Sequence, residues 1–328
     1  MIDKKSKVKF ILVFINLLVF SMPVFSQGDG PRAHLPSPKN VWAINPKYLH
    51  LDQNLLPNGN ILVENADINV DVFPTTLVHT FNIKGKFARV FAMINPGSLT
   101  ATGNFEASSL QVSKELSASG FSDGFVAFEY GLIGSPALNA LEFAKHEPQF
   151  SLNGFLRYWY SGTYDSNKLI NLGTNRSTFE IGTTMAIPFH KNLTQNATWL
   201  EIMPTVQFYT DNNDPARSSR ANKVEQKPLF IIENHLTHNL NKKLWVGADL
   251  RYQVGGETEA DGVSDDNHIN ILGGGLNLGY QIIAPLSAFV GYDTIIFGDN
   301  NARSNMLRVS LVFAYINLKK IKASKTIK

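Results

Sequence analysis

The chain has 328 residues, no cysteine, 44% apolar residues and 17% charged residues. The lack of Cys excludes a disulfide framework, a thiolate metal site, a Cys nucleophile and a lipid anchor on an N-terminal Cys. The charged fraction is below the soluble average of about 25%. The formal charge of +3 resides at the termini, and residues 27–318 carry 21 basic against 26 acidic side chains, so no nucleic-acid-binding face is expected.

Residues 1–26 read as a secretory signal peptide. Lys4, Lys5, Lys7 and Lys9 form a positive start. Phe10 to Phe20 form an apolar core, Pro23 breaks it, and Ser26 suits cleavage before Gln27. No other apolar run approaches the roughly 20 residues of a transmembrane helix. Residues 27–39, with Pro31, Pro36 and Pro38, are expected to form a periplasmic N-terminal segment lying in or under a barrel lumen.

Twelve segments of strand character follow: 40–52, 66–83, 86–96, 121–133, 149–161, 174–189, 197–210, 224–239, 243–255, 268–282, 286–297 and 304–316. Four show a period of two clearly. In 243–255, for example, Leu244, Val246, Ala248, Leu250, Tyr252 and Val254 alternate with Trp245, Gly247, Asp249, Arg251 and Gln253. Successive side chains of a strand point to opposite faces, so such a segment has one apolar and one polar face. A soluble sandwich would turn the apolar face inward, and a membrane barrel would turn it to lipid.

Connection lengths favour the barrel. Those at 84–85, 190–196, 240–242 and 283–285 are short, with 134–148 the exception and room for a short helix at 136–146. Those at 97–120, 162–173, 211–223, 256–267 and 298–303 are mostly longer. Short periplasmic turns alternating with longer extracellular loops mark outer-membrane barrels. The expectation is an all-β protein: a single transmembrane, antiparallel, up-and-down β-barrel of about 12 strands over residues 40–318. A basic tail over 319–328 follows Phe313 and Tyr315 of the last strand.

No nucleophile elbow, phosphate loop, dinucleotide fingerprint or HExxH motif appears, so neither an enzyme nor a cofactor is expected. His235 and His238 would face opposite ways on a strand. The acidic loop with Glu257, Glu259, Asp261, Asp265 and Asp266 lacks EF-hand spacing, and no metal site is assigned. The candidate functional residues are the polar faces turned to the lumen: Arg157, Glu180, Glu201, Gln207, Asp249, Arg251, Gln253 and Arg308. They could line a solute path or form ion pairs that brace the wall.

Several motifs carry a family resemblance. They are Gly30-Pro31-Arg32-Ala33-His34-Leu35-Pro36, Phe121-Ser122-Asp123-Gly124, Gly134 to Leu138 with Glu142-Phe143-Ala144, and Gly162-Thr163-Tyr164-Asp165 with Asn171 to Arg176 and Phe179. Through them the chain resembles the bacterial outer-membrane barrels labelled for the meta-pathway of phenol degradation. The resemblance implies an outer-membrane channel for small, hydrophobic or aromatic compounds. It implies as partners the small-molecule solute, outer-membrane lipid and lipopolysaccharide, and the barrel-assembly machinery. A structural or adhesive barrel with ligand-binding loops and a lipid-modifying barrel enzyme are the alternatives.

Overall fold

The computed structural model describes residues 28–55, 66–107, 110–190 and 196–316. The leader and the basic tail lie outside the described residues. In chain order the strands are β1 (Val41–Gln53), β2 (Ala66–Val72), β3 (Thr75–Ile83), β4 (Lys86–Ala107), β5 (Leu110–Ile133), β6 (Ser151–Tyr160), β7 (Thr178–Pro188) and β8 (Thr198–Tyr209). They continue as β9 (Val224–Gln226), β10 (Leu229–Asn239), β11 (Leu244–Gly255), β12 (Thr258–Ala260), β13 (Val263–Ser264), β14 (Ile269–Ile283), β15 (Leu286–Gly298) and β16 (Ser304–Ile316). One helical turn, α1 (Ala140–Phe143), sits in the connection before β6.

Each long strand pairs antiparallel with its neighbours, and β1 pairs with β16 from Val41↔Ile316 to Gln53↔Ser304. That last ladder closes the sheet. β2 and β3 both lie between β1 and β4, so together they form one stave of a closed barrel of twelve staves. Phe73-Pro74 divides them, because Pro has no N–H for the ladder. Pro46 on β1 and Pro96 on β4 stand beside the break: Lys47 N–H donates to Pro74 O at 2.8 Å and Phe73 N–H to Pro96 O at 2.8 Å.

The outer surface carries a continuous apolar belt. Trp42 and Ile44 on β1, Leu156 on β6, Ile181 on β7, Leu250 on β11, Leu276 on β14 and Leu311 on β16 are all exposed. Their strand neighbours with opposite parity are buried polar groups, among them Arg157, Glu180, Asp249 and Ser310. A wall with its apolar groups outward and its charges inward fits hydrocarbon outside and a polar lumen inside, and excludes the soluble sandwich.

Two expected boundaries are corrected. Residues 97–120 are not an open loop. β4 and β5 continue through them in register, from Gly97↔Gly120 to Ala107↔Leu110, with β2 paired to β4 as far as Gly103, and raise the wall beyond the belt. The sequence there reads as a loop because, once clear of lipid, a strand no longer needs an apolar outer face. The expected strand 224–239 is two elements. β9 leaves the barrel and pairs with β12, which pairs with β13, in a small outer sheet. There Lys227 bridges Glu257 and Glu259 and holds the Glu257 carboxyl below its usual range. The acidic loop is thereby partly neutralised.

At the opposite end the turns are tight. Lys84 and Gly85 adopt left-handed backbone, with φ of 47° and 82°. The longer connection 134–148 folds under the barrel. Its helical turn is capped by Asn139, whose side chain accepts from the Leu141 and Glu142 N–H groups.

Leu250 is 48% exposed at the middle of β11, while Arg251 beside it faces Glu233. Leu250→Arg is expected to destabilise the barrel by about 2–4 kcal/mol, the cost of a charge at the bilayer midplane. The folded fraction that survives unheated electrophoresis after insertion into liposomes measures it.

Candidate functional site

The lumen is filled from the periplasmic end by the chain's own N-terminal segment. Asn40 N–H donates to Thr80 O at 2.7 Å and Lys39 N–H to Leu138 O at 2.8 Å, so the segment enters at the short-turn rim. It then climbs inside the barrel. Arg32 N–H donates to Glu201 Oε2 at 2.7 Å and His34 N–H to Glu201 Oε1 at 3.0 Å. The Arg32 guanidinium donates to Asn239 Oδ1 at 2.6 Å and lies 4.4 Å from the centre of the Trp245 ring. The segment reverses through Gly30, at φ +89°. A Cβ there would come within 2.3 Å of an Arg308 guanidinium nitrogen. Glycine is favoured there by the left-handed backbone, and a side chain would also have to displace the Arg308 guanidinium.

Glu129 anchors the plug. Its carboxylate is fully buried and accepts from Arg89 Nε at 2.8 Å, Asn153 Nδ2 at 2.6 Å and Thr184 Oγ1 at 2.7 Å. His34 Nδ1 lies 3.1 Å away. Arg89 also donates to Ala33 O at 2.6 Å. Glu129, on β5, thus ties its own strand and three other wall strands, β4, β6 and β7, to the plug through His34 and Arg89. A buried charge is tolerated only when its partners compensate desolvation, and Glu129 meets that condition.

Above this anchor lies Asp29. Its carboxylate pairs with the Arg157 guanidinium and sits 2.9 Å from His34 Nε2. Lys47 Nζ donates to the Asp29 carbonyl at 3.0 Å. Arg157 is boxed by rings, with Phe125 at 4.3 Å, Phe155 at 4.7 Å, Trp159 at 5.2 Å and Phe91 at 5.7 Å from its guanidinium carbon. Glu180 lies on its far side, 3.5 Å away, and accepts from Trp159 Nε1 at 2.9 Å and Gln207 Nε2 at 3.2 Å.

All eight residues selected from the sequence point into the lumen, but they do not form one site. Arg157, Glu180, Gln207 and Arg251 surround the tip of the plug, Arg251 through its ion pair with Glu233. Glu201 holds the plug backbone. Asp249 belongs to a wall pair with His235 at 2.8 Å and accepts from Asn277 at 2.7 Å. Arg308 stands beside Asp293 at 3.8 Å and the turn at Gly30. Gln253 is buried on the same face of β11. Asp29, His34, Lys47, Arg89, Glu129 and Glu233 were not selected. His34 lies inside the Gly30–Pro36 motif, and Arg89 and Glu129 interrupt apolar runs at inward parity. Those are the signals that would have found them.

Between the plug tip and the outer mouth is a cavity of about 120 Å³, bounded by Asp29, Lys47, Arg157 and Glu233 below and by Leu49, Leu51, Met93, Phe125, Met203 and Met306 along its sides. A single water needs only roughly 10–15 Å³, so the cavity admits a small molecule. Further out the interior wall carries an apolar cluster, in which Ile68, Val70, Val72, Leu99 and Met306 are buried with Leu172.

Leu172 comes from the connection between β6 and β7, which folds inward over the mouth. Asp123 pins it. Its Oδ1 accepts from Gly162 N–H and Thr174 N–H, both at 3.0 Å, and its Oδ2 from Thr174 Oγ1 at 2.6 Å. Burial of Arg176, stacked 4.6 Å from the Tyr209 ring centre, lowers its guanidinium pKa. A second, smaller pocket lies at the periplasmic end between Pro36, Phe87, Leu138, Phe143 and Trp199. The lumen thus runs from an outer cavity, across the plug, to an inner pocket.

Comparison with known proteins places this architecture. The profile of the family described as "Putative MetA-pathway of phenol degradation" matches residues 52–304. Among solved structures, the chain is similar to an outer membrane channel from Pseudomonas putida F1 with a TM-score of 0.66. That match has 16% identity and covers 88% of this chain and 100% of that one. The KdgM porin is similar at 9% identity and a TM-score of 0.40, over 83% of this chain and 99% of that one. The transport unit of the autotransporter AIDA-I from Escherichia coli is similar at 10% identity and a TM-score of 0.46, over 92% and 97%. No curated protein matches the chain.

Two outcomes follow from the anchors. Glu129→Ala leaves Arg89 buried without its carboxylate and is expected to cost about 3–5 kcal/mol, read as a lower urea midpoint of the folded barrel. Asp123→Ala removes three hydrogen bonds to a charged acceptor, each contributing about 1.5–3 kcal/mol. Trypsin should then cut at Lys168 at least tenfold faster in intact outer membranes, with the barrel still folded.

Proposed function

The chain belongs to the family described as putative MetA-pathway of phenol degradation, and on that footing we propose that this outer-membrane barrel is a gated channel for small amphipathic compounds, aromatic ones included. The observation that carries the reading is the lumen's division along its axis. Its outer half is lined largely by Leu, Ile, Val, Met, Phe and Trp with a few polar side chains among them, and its inner half by charges held in ion pairs and hydrogen bonds.

A water-filled sieve for sugars or salts has no use for an apolar entrance. A solute with a flat apolar body does, because burying each Å² of that body contributes about 25 cal/mol. The three methionines on the cavity wall suit varied shapes, since the unbranched thioether side chain adapts to its partner. At the bottom of the cavity the charged groups offer hydrogen bonds to a polar substituent.

The plug sets the gate. Residues 28–37 stand in the lumen between the cavity and the inner pocket, so a solute crossing there displaces them. They are held by ion pairs and hydrogen bonds to side chains rather than by a strand ladder, and such contacts break one at a time. On this reading the protein moves its solute without chemistry. The solute reaches the cavity past the loop pinned by Asp123, and the surrounding lipid and lipopolysaccharide are structural partners of the belt.

Purified protein in liposomes tests the proposal. Phenol and benzyl alcohol should enter protein-containing vesicles at least fivefold faster than they enter protein-free ones, and glucose should not. Removal of residues 28–37 should raise single-channel conductance several-fold and admit glucose. Equal rates for the aromatic solutes with and without the protein, together with no conductance after plug removal, would overturn the channel.

A further inference from the structure

The surroundings of Asp29 resemble a binding site more than a structural brace. Its carboxylate lies at the floor of the outer cavity, on a residue that belongs to the movable segment and not to the wall. Around it the wall supplies Arg157, 5% exposed, and Lys47, whose ammonium reaches the Asp29 carbonyl. The Arg157 guanidinium is held by four aromatic rings that fix its plane. A planar, immobilised guanidinium with a second cation beside it is a preorganised carboxylate receptor.

The other acids of the floor are already engaged. Glu129 has Arg89, Asn153 and Thr184, and Glu233 has Arg251. Glu180 has Trp159 and Gln207 beside its longer contact to Arg157. When the plug withdraws, Asp29 leaves with it, and Arg157 and Lys47 face the cavity with one fewer negative charge. The site is then complementary to one carboxylate arriving from outside, with its apolar body against Phe125, Trp159 and the methionines.

We propose that Asp29 is a resident stand-in for a solute carboxylate, and that the floor of the outer cavity binds small organic monocarboxylates with an apolar body, which displace Asp29 from Arg157 and so release the plug. The inference rests on the channel reading and specifies both its solute and its gate. Binding exchanges one carboxylate for another on Arg157, so the buried guanidinium keeps an anionic partner once the exchange is complete. A neutral analogue with the same body gains the apolar contacts but has no means to dislodge Asp29. The apparent affinity of the wild-type protein is reduced by the fraction of time that Asp29 occupies the site.

The test is a ¹⁹F NMR titration of the detergent-solubilised full-length protein with 4-fluorobenzoate and 4-fluorobenzyl alcohol. Asp29→Asn keeps the shape of the plug and removes its charge. It is expected to bind 4-fluorobenzoate at least tenfold more tightly than wild type, with less than a twofold change for the alcohol. Adding Arg157→Gln to Asp29→Asn should abolish the gain. Unheated electrophoresis reports folding of each variant, and if that double variant does not fold, Lys47→Gln in the Asp29→Asn background should reduce the gain at least threefold.

Unchanged 4-fluorobenzoate affinity in Asp29→Asn would overturn the proposal. So would an equal gain for the alcohol, which would mean that the substitution merely loosened the plug. Liposome entry is read separately. Vesicles impermeable to aromatic solutes, with the Asp29→Asn gain intact, would remove the channel and leave the carboxylate site standing.

Discussion

The rest of the structure depends on the pairing of β1 with β16. In hydrocarbon no water satisfies a free N–H or C=O, and each such group costs several kcal/mol. An open sheet edge is therefore not a stable option within the belt. The eleven register pairs from Val41↔Ile316 to Gln53↔Ser304 remove both edges at once. Closure dictates an inside and an outside, and with them the meaning of every alternating residue. Parity that would be arbitrary in an isolated strand becomes lipid or lumen once the ring is shut.

Closure creates a second problem, which the plug addresses. A ring of twelve staves is wider than the eight-stranded barrels whose side chains fill their own interior, and narrower than the porins with their aqueous channels. The inward charges of such a barrel must be partnered or hydrated. Here many are partnered by the chain's own N-terminal segment. Arg157 pairs with Asp29, Glu201 accepts two plug backbone N–H groups, and Arg89 donates to a plug carbonyl. The same contacts that stabilise the wall occlude the path. Stability and closure are thus one set of interactions, and opening the path requires a replacement for them.

The wall also changes character along its axis. Within the belt it obeys the membrane rule, with apolar groups outward. Above it, where β4 and β5 rise as a hairpin and β2 joins them, apolar groups turn inward, as in a soluble protein. Ile68, Val70, Val72 and Leu99 are buried there. The break at Phe73-Pro74 marks the transition. Strand parity does not slip at the break, since Val72 and Thr76 both point inward, and only the chemistry of the inward face changes. The result is an apolar cup above a charged floor.

Much of this was legible in the sequence. All twelve staves were legible as segments of strand character, with the period of two clear in four of them, and the alternation of short and long connections marked the barrel, because bilayer thickness and strand geometry act on each segment locally. The facing of Leu250 and Arg251 followed from the same rule. The resemblance carried by Gly30–Pro36, Phe121–Gly124 and Gly162–Arg176 marked the plug, the Asp123 latch and the mouth loop without assigning them roles. What only the tertiary structure decided was partnership. That Asp29 meets Arg157, and that Glu129 gathers His34, Arg89, Asn153 and Thr184, depends on ring closure and on the path of the plug. Plug contacts join residues up to 207 positions apart, as between Arg32 and Asn239. The hairpin over 97–120 escaped the pattern because a strand standing in water no longer has to turn its apolar face outward. The direction of a side chain is a local property of the backbone, whereas the group it meets across a lumen is fixed only when the whole barrel has closed.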